Sequence, residues 1–157
     1  MPRRGYKRLP TENDPIYDSY EVAKLVNYAM KDGKKTVALR VVYSALEDIK
    51  NQKLDPLDVL HKAIYNVAPE REVRPRRVGG ASYLVPVETR QERKVFLALN
   101  WIVQSAQSRS NKQFKTFGQK LSAELMDAYK NEGEAINKRL QVEKLAAANK
   151  AFAHFNW

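Results

Sequence analysis

The chain contains no cysteine. That excludes a disulfide framework, a thiolate nucleophile and any metal site built on sulfur, and it fits a reducing, intracellular setting. Histidine is nearly as scarce. His61 and His154 are the only two, too few for the three or four ligands that zinc needs when sulfur is missing. No metal or other cofactor is expected. Long hydrophobic runs are absent as well: the longest apolar-rich stretch, Val95 to Val103, is broken by Asn100 and falls far short of the ~20 residues that span a bilayer. No apolar segment follows the positive charges of MPRRGYKRLP. The expectation is a protein that is neither secreted nor membrane-spanning. Catalytic motifs are missing too. No G-x-x-x-x-G-K-[ST] surrounds Gly79-Gly80, neither G-x-S-x-G nor H-E-x-x-H occurs, and no spacing singles out two carboxylates as an acid and a base. Neither an enzyme nor a small-molecule substrate is expected.

Acid is lacking in particular places. The formal net charge is +10, and residues 1–10 hold Arg3, Arg4, Lys7 and Arg8 with no acid. Residues 71–94 hold seven bases against three glutamates, and residues 109–120 hold Arg109, Lys112, Lys115 and Lys120 with no acid. These three segments carry more than the whole positive excess, leaving the rest of the chain slightly acidic. Segregation of this kind is the electrostatic footprint of a polyanion ligand, and it points to nucleic acid rather than to a surface kept basic for solubility.

The chain is organised around Arg71 to Lys94, REVRPRRVGGASYLVPVETRQERK. Two β-favouring runs, Val73 to Val78 and Ala81 to Val87, flank Gly79-Gly80, and a two-residue glycine loop suits a primed hairpin turn because both central residues need φ > 0. This turn predicts the pairs Val78–Ala81, Arg77–Ser82, Arg76–Tyr83, Pro75–Leu84 and Arg74–Val85. Arg74 and Arg76 then share one face and Arg77 the other, so neither face is cheap to desolvate and the ribbon is expected to project from the body. Pro75 fits a two-stranded ribbon in which both strands are edges. Such a ribbon is expected to become fully ordered when an anionic partner meets it.

At 157 residues the chain suits a single nucleic-acid-binding domain with one core. The expected organisation is a basic arm (1–17), helices one to three (18–70), the hairpin (72–89), helices four to six (91–148) and an aromatic tail (149–157). The first helix, capped by Asp18 or Ser19, carries Val22, Leu25, Val26, Ala29 and Met30 and stops at Gly33. The second, about Thr36 to Lys50, carries Ala38, Val41, Val42, Ala45, Leu46 and Ile49. Lys34-Lys35 lies beside its N-terminus, suited either to a phosphate or to solvent. Asp55-Pro56 starts a third helix that Pro69 ends. Gln91 to Gln107 is apolar on several sides and reads as the central core helix. A fifth, marked by Phe117, Leu121, Leu125 and Ala128, packs one face and leaves its lysines outside. The sixth, about Glu134 to Asn149, has a thin stripe of Ile136 and Leu140 and a further apolar surface at Leu145 to Ala148. Phe152, Phe155 and Trp157 in the tail need a surface: the chain's own, stacked bases, or a neighbouring protein. The fold class is therefore mainly α, a bundle of about six helices with a protruding two-stranded β-hairpin, a basic N-terminal arm and a short aromatic C-terminal tail.

VRPRRVGGASYLVPVETR (Val73 to Arg90) resembles the hairpin of the bacterial small-subunit ribosomal protein seven family. MPRRG at the start, NDP-x-Y, KLVN, DGKK at Asp32 to Lys35 and ANKAFAHF-x-W at the end join it in order. The resemblance implies a cytoplasmic, ribosomal protein that binds the 3′ major domain of small-subunit ribosomal RNA directly and nucleates the head, near exit-site transfer RNA and the messenger path. It implies RNA contacts at Arg3, Arg4, Lys34, Lys35, Arg76, Arg77, Arg90, Arg93 and Lys94, to which the charge pattern adds Lys7, Arg74, Arg109, Lys112 and Lys115. The hairpin tip, Val78, Gly79, Gly80, Ala81, Ser82 and Tyr83, would face exit-site transfer RNA. The tail, Phe152, His154, Phe155 and Trp157, would meet RNA or a protein partner, the implied neighbours being small-subunit proteins nine in the head and eleven on the platform. Repression of its own messenger RNA by mimicry of the ribosomal site is a further property the family offers. The chain departs from the family pattern at Leu84, Asn100, Leu140-Gln141 and Asn156, with Pro75 at a variable site. The alternative reading is a free nucleic-acid-binding regulatory protein, whose mark would be a helix presenting base-reading side chains in a dimeric arrangement. No segment shows that pattern.

Overall fold

Helix starts are fixed by side chains that satisfy the first free backbone N–H groups. In the computed structural model, which describes residues 11–155, Ser19 accepts from the Val22 N–H (3.5 Å) to open α1 (Tyr20–Ala29). Lys34 stands at the N-cap of α2 (Lys35–Asn51) without a side-chain cap. Asp55 accepts from the Leu57 N–H at 3.0 Å, and Pro56 occupies the first turn of α3 (Pro56–Val67). The hairpin strands β1 (Arg71–Val78) and β2 (Ala81–Glu88) follow, then α4 (Gln91–Ser108). Thr116 and Gln119 close a reciprocal capping box on α5 (Phe117–Tyr129). Next come α6 (Glu134–Ala148) and a 3-10 helix, Lys150–Phe155. The expected helices are all present within a few residues of their predicted limits. The exception is the end of α1, which stops at Ala29 rather than at Gly33: Met30 leaves the helix with ψ 135° while its N–H still bonds the Val26 carbonyl at 3.0 Å.

The NDP-x-Y segment is a folded anchor. Asp14 is buried and accepts from the Ile16 and Tyr17 N–H groups (3.1 Å each) and from the Tyr43 hydroxyl (2.8 Å), tying the chain ahead of α1 to α2. Burial, with that bond to Asp14, pushes the Tyr43 hydroxyl up to about 12. The arm residues Arg3, Arg4 and Lys7, and Trp157 of the tail, lie outside the described residues.

Leu25, Leu46, Ile49, Leu60, Leu99, Ile102, Leu121 and Leu125 are fully buried, and with Ala135 and Ile136 they form one core shared by all six α-helices. Helix α4 touches α1, α3, α5 and α6, and α5 touches α2, α3, α4 and α6. The centre is thus a pair of helices and not α4 alone. Helix α5 buries far more than one face: Gly118, Lys120, Ser122 and Glu124 are inside with its leucines. Lys120, expected outside, is buried because its ammonium donates to the Arg109 carbonyl and to Asn111 Oδ1, both at 2.6 Å. Leu140, expected on the core stripe of α6, is 49 % exposed, and Ala135 and Ile136 make that contact instead. Among the described residues no helix is long and apolar enough to cross a membrane.

The hairpin register is the predicted one, from Val78–Ala81 at the turn to Arg71–Glu88 at the base. Gly79 (φ 56°) and Gly80 (φ 90°) both adopt positive φ, and a Cβ on either would meet nothing within 4 Å. The turn selects glycine for its backbone freedom and not for space. Replacing Leu99 with alanine is expected to cost about 2–5 kcal/mol. Urea unfolding would show this as a lower midpoint at an unchanged slope.

Candidate nucleic-acid interface

The ribbon does not project with both faces free. Opposed residues of an antiparallel pair share a face, which puts Glu72, Arg74, Arg76 and Val78 with Val87, Val85, Tyr83 and Ala81 on one side. That side leans on α6 and the 3-10 helix: Val85 is fully buried, Glu72 is 7 % exposed, and the Tyr83 ring centroid lies 5.2 Å from those of both Phe152 and Phe155. The His154 ring adds a layer 4.0 Å from Phe155, with Nδ1 2.9 Å from the Ala151 carbonyl. Phe152 and Phe155 therefore find their surface within the chain, on the hairpin rather than in the core. Burial of this face is tolerable because a carboxylate comes with the arginines. Glu72 accepts from Arg74 (2.6 and 2.9 Å) and from Arg93 (3.1 Å), whose guanidinium also lies 4.9 Å from the Phe96 ring. Burial alone would raise the Glu72 carboxyl, but the two arginines outweigh it and hold it below the usual carboxylate range. The opposite face carries Arg77, Pro75 and Leu84, all exposed. Gly79, Gly80, Ala81 and Ser82 at the tip are exposed too, while Val78 is partly covered.

Arg109, expected among the outward bases, is turned inward. Its guanidinium bonds Glu124 Oε2 (2.6 and 2.7 Å) and Asp127, and its side chain is 20 % exposed. Burial works against its charge, but the bonds to Asp127 and Glu124 more than offset this and push its pKa above the usual range. Sequence reading missed the pairing because the acids sit 15 and 18 residues away, in another helix. With Arg109 and Lys120 engaged internally, Lys112 and Lys115 are the exposed bases of that loop. Glu124, 1 % exposed, has a second role: Oε1 accepts the Ala135 N–H at 3.1 Å and so starts α6, whose N-cap Gly133 has no side chain to do it.

The exposed bases of the segments that the charge pattern singles out fall into two groups, apart from single exposed bases elsewhere such as Arg40, Lys53, Lys62 and Lys144. Lys34 and Lys35 are exposed at the start of α2, whose first turn contains no acid. Lys31 and Lys34 line one depression together with Gln107 and Phe117, the residues from which the loop carrying Lys112 and Lys115 departs and to which it returns. The roots of the Lys112–Lys115 loop thus lie beside the α1–α2 joint that carries Lys31 and Lys34. The second group belongs to the hairpin and its exit: Arg77 and Arg90 are exposed, Arg76 and Lys94 half-buried, and Arg74 and Arg93 share Glu72. This is a surface suited to holding phosphates.

Residues 1–150 match the family model for ribosomal protein S7p/S5e. This chain belongs to that family. It is 47 % identical to the small ribosomal subunit protein uS7 of Thermotoga neapolitana, and 49 % identical to the proteins of the same name from Thermosipho africanus and a Sulfurihydrogenibium species. Each alignment covers 100 % of both chains. The chain is accordingly a ribosomal protein, a structural component and not an enzyme.

Two expectations follow. Glu124→Gln leaves Arg109 with Asp127 alone and is expected to destabilise the fold by roughly 3 kcal/mol, the low end for breaking a buried ion pair; thermal unfolding measures it. Because the folded Glu72 pKa is depressed, its contribution is fully present above the unfolded value near 4.5 and fades as pH falls through the folded value. The stability gap between wild type and Glu72→Gln should therefore be constant from pH 7 to about 5.5 and close on further acidification.

Proposed function

We propose that the chain is a structural constituent of the small ribosomal subunit that binds the 3′ major domain of its RNA directly and nucleates folding of the head. The observation that carries this is the division of the bases. Arg109, Lys120, Arg74 and Arg93 are bound to groups of the chain itself, whereas Lys34, Lys35, Lys112, Lys115, Arg77 and Arg90 are exposed on a folded bundle. Phosphates held at preset positions lose their mutual repulsion, and the entropy cost of ordering an RNA junction falls because the protein surface is already in shape. Binding is then assembly. The A-form major groove hides its base edges, so recognition works through phosphates, junction shape and unpaired bases.

The arm bases Arg3, Arg4 and Lys7 extend the same reading, as do Arg76 and Lys94 at the hairpin. The hairpin tip, Val78 to Tyr83, lies toward exit-site transfer RNA and the messenger path. Proteins nine and eleven of the small subunit are the neighbours in head and platform. The Phe152–Phe155 layer serves this arrangement by backing the ribbon through Tyr83, which makes the tail a brace for the tip as well as a surface for a neighbour.

The test is a competition titration of the purified chain against a small-subunit 3′ major-domain RNA fragment, an unrelated structured RNA and duplex DNA. Strong preference for the ribosomal fragment is expected, and with about 6–10 phosphate contacts its affinity should fall by roughly 10³–10⁵ between 50 and 200 mM salt. Equal binding to all three nucleic acids, or a flat salt response, overturns the reading.

A further inference from the structure

The depression between the two basic segments has a chemistry that phosphate binding alone does not explain. Its open volume is about 380 Å³, within the roughly 300–1,000 Å³ range of sites that enclose small organic groups. Val37, Val41 and Phe117 form apolar walls, Lys31 and Lys34 stand at the α1–α2 side, and Gln107 presents an amide from α4. No acidic side chain lines it among the described residues. Val37 is 53 % exposed, a bare β-branched residue in a first turn otherwise made of Lys35 and Thr36 and next to Lys34. A site for phosphate only would be lined by cations and N–H groups. An apolar partner protein would have no use for two lysines and would leave them desolvated without counter-charge.

We propose that this slot receives one unstacked base of the bound RNA. The flat faces of the base would lie against Phe117 and the two valines, Gln107 would hydrogen-bond its polar edge, and Lys31 and Lys34 would hold the flanking phosphates. A nucleotide is the ligand whose parts match this lining: an apolar face, an edge of donors and acceptors, and a negative link on either side. Gln107 and Phe117 also flank the loop that carries Lys112 and Lys115, so a strand that inserts one base there can run its backbone toward both segments. The proposal rests on the RNA-binding reading above and deepens it by adding a contact that salt does not weaken.

The experiment titrates the full chain, as wild type and as Val37→Trp and Lys31→Ala/Lys34→Ala variants, with the 3′ major-domain fragment and with single-stranded oligoadenylate at two salt concentrations. Val37→Trp fills the slot from an exposed position, and circular dichroism checks its fold. Val37→Ser, which strips a wall without adding bulk, serves as the second variant. Both Val37 variants are expected to lose about 5- to 100-fold in affinity for both RNAs at an unchanged salt slope. The lysine pair should instead lower the slope by about 2. Val37 variants that bind both RNAs within twofold of wild type, or that lose affinity through a lower slope, overturn the slot. A wild-type chain that fails to prefer the ribosomal fragment overturns the ribosomal reading instead, while the oligoadenylate arm still decides the slot.

Discussion

The arrangement of this molecule depends on where one buried carboxylate sits. Glu124, at 1 % exposure in α5, accepts from Arg109 at the end of α4 and from the Ala135 N–H at the start of α6. An isolated carboxylate in such a place would be costly, and it is retained because a guanidinium and a backbone N–H converge on it. Through Arg109 it fixes the root of the loop that bears Lys112 and Lys115. Through Ala135 it sets the start of α6, and α6 carries the covered face of the hairpin. Both the lysine-bearing loop and the covered face of the hairpin are thus referred to a single polar contact in the core.

The charge pattern has a division of labour that net charge conceals. Bases near α5 and at the foot of the ribbon consolidate the body, and the exposed ones sit on the loop and ribbon that this body carries. Rigid presentation matters because side chains that must be ordered on binding subtract from the gain. The hairpin shows the same economy of motion: Glu72 lets Arg74 and Arg93 lie against a partly dry face, leaving Arg77 outward on the other.

Much of this was legible in the sequence, for reasons that are local. Val22, Leu25 and Val26, or Ala38, Val42, Ala45, Leu46 and Ile49, announce helices because their spacing matches one helix face, and all of them are buried. The Gly79-Gly80 pair fixed every partner in the ribbon because a two-residue turn leaves one register. What escaped is non-local. Nothing near Arg109 or Lys120 reveals that Glu124, Asp127 and the Arg109 carbonyl await them. The aromatics at 152 and 155 find Tyr83 about 70 residues back, and the slot between Val37 and Phe117 exists only once four helices are packed. Arginine on both faces suggested a free ribbon because counting charges along a strand does not show which of them bring an acid.

The contact between Tyr83 and the Phe152–Phe155 pair ties residues that leave the synthesising ribosome far apart in time. At about 5–20 residues per second, the backing arrives on the order of 4–14 s after the hairpin is made. Until then a two-stranded ribbon with unpaired edges and a bare valine-and-tyrosine face has only its turn to hold it. Arg74 on that face and Arg77 on the other are exposed, and like charges along open edges disfavour edge-to-edge pairing of two such ribbons.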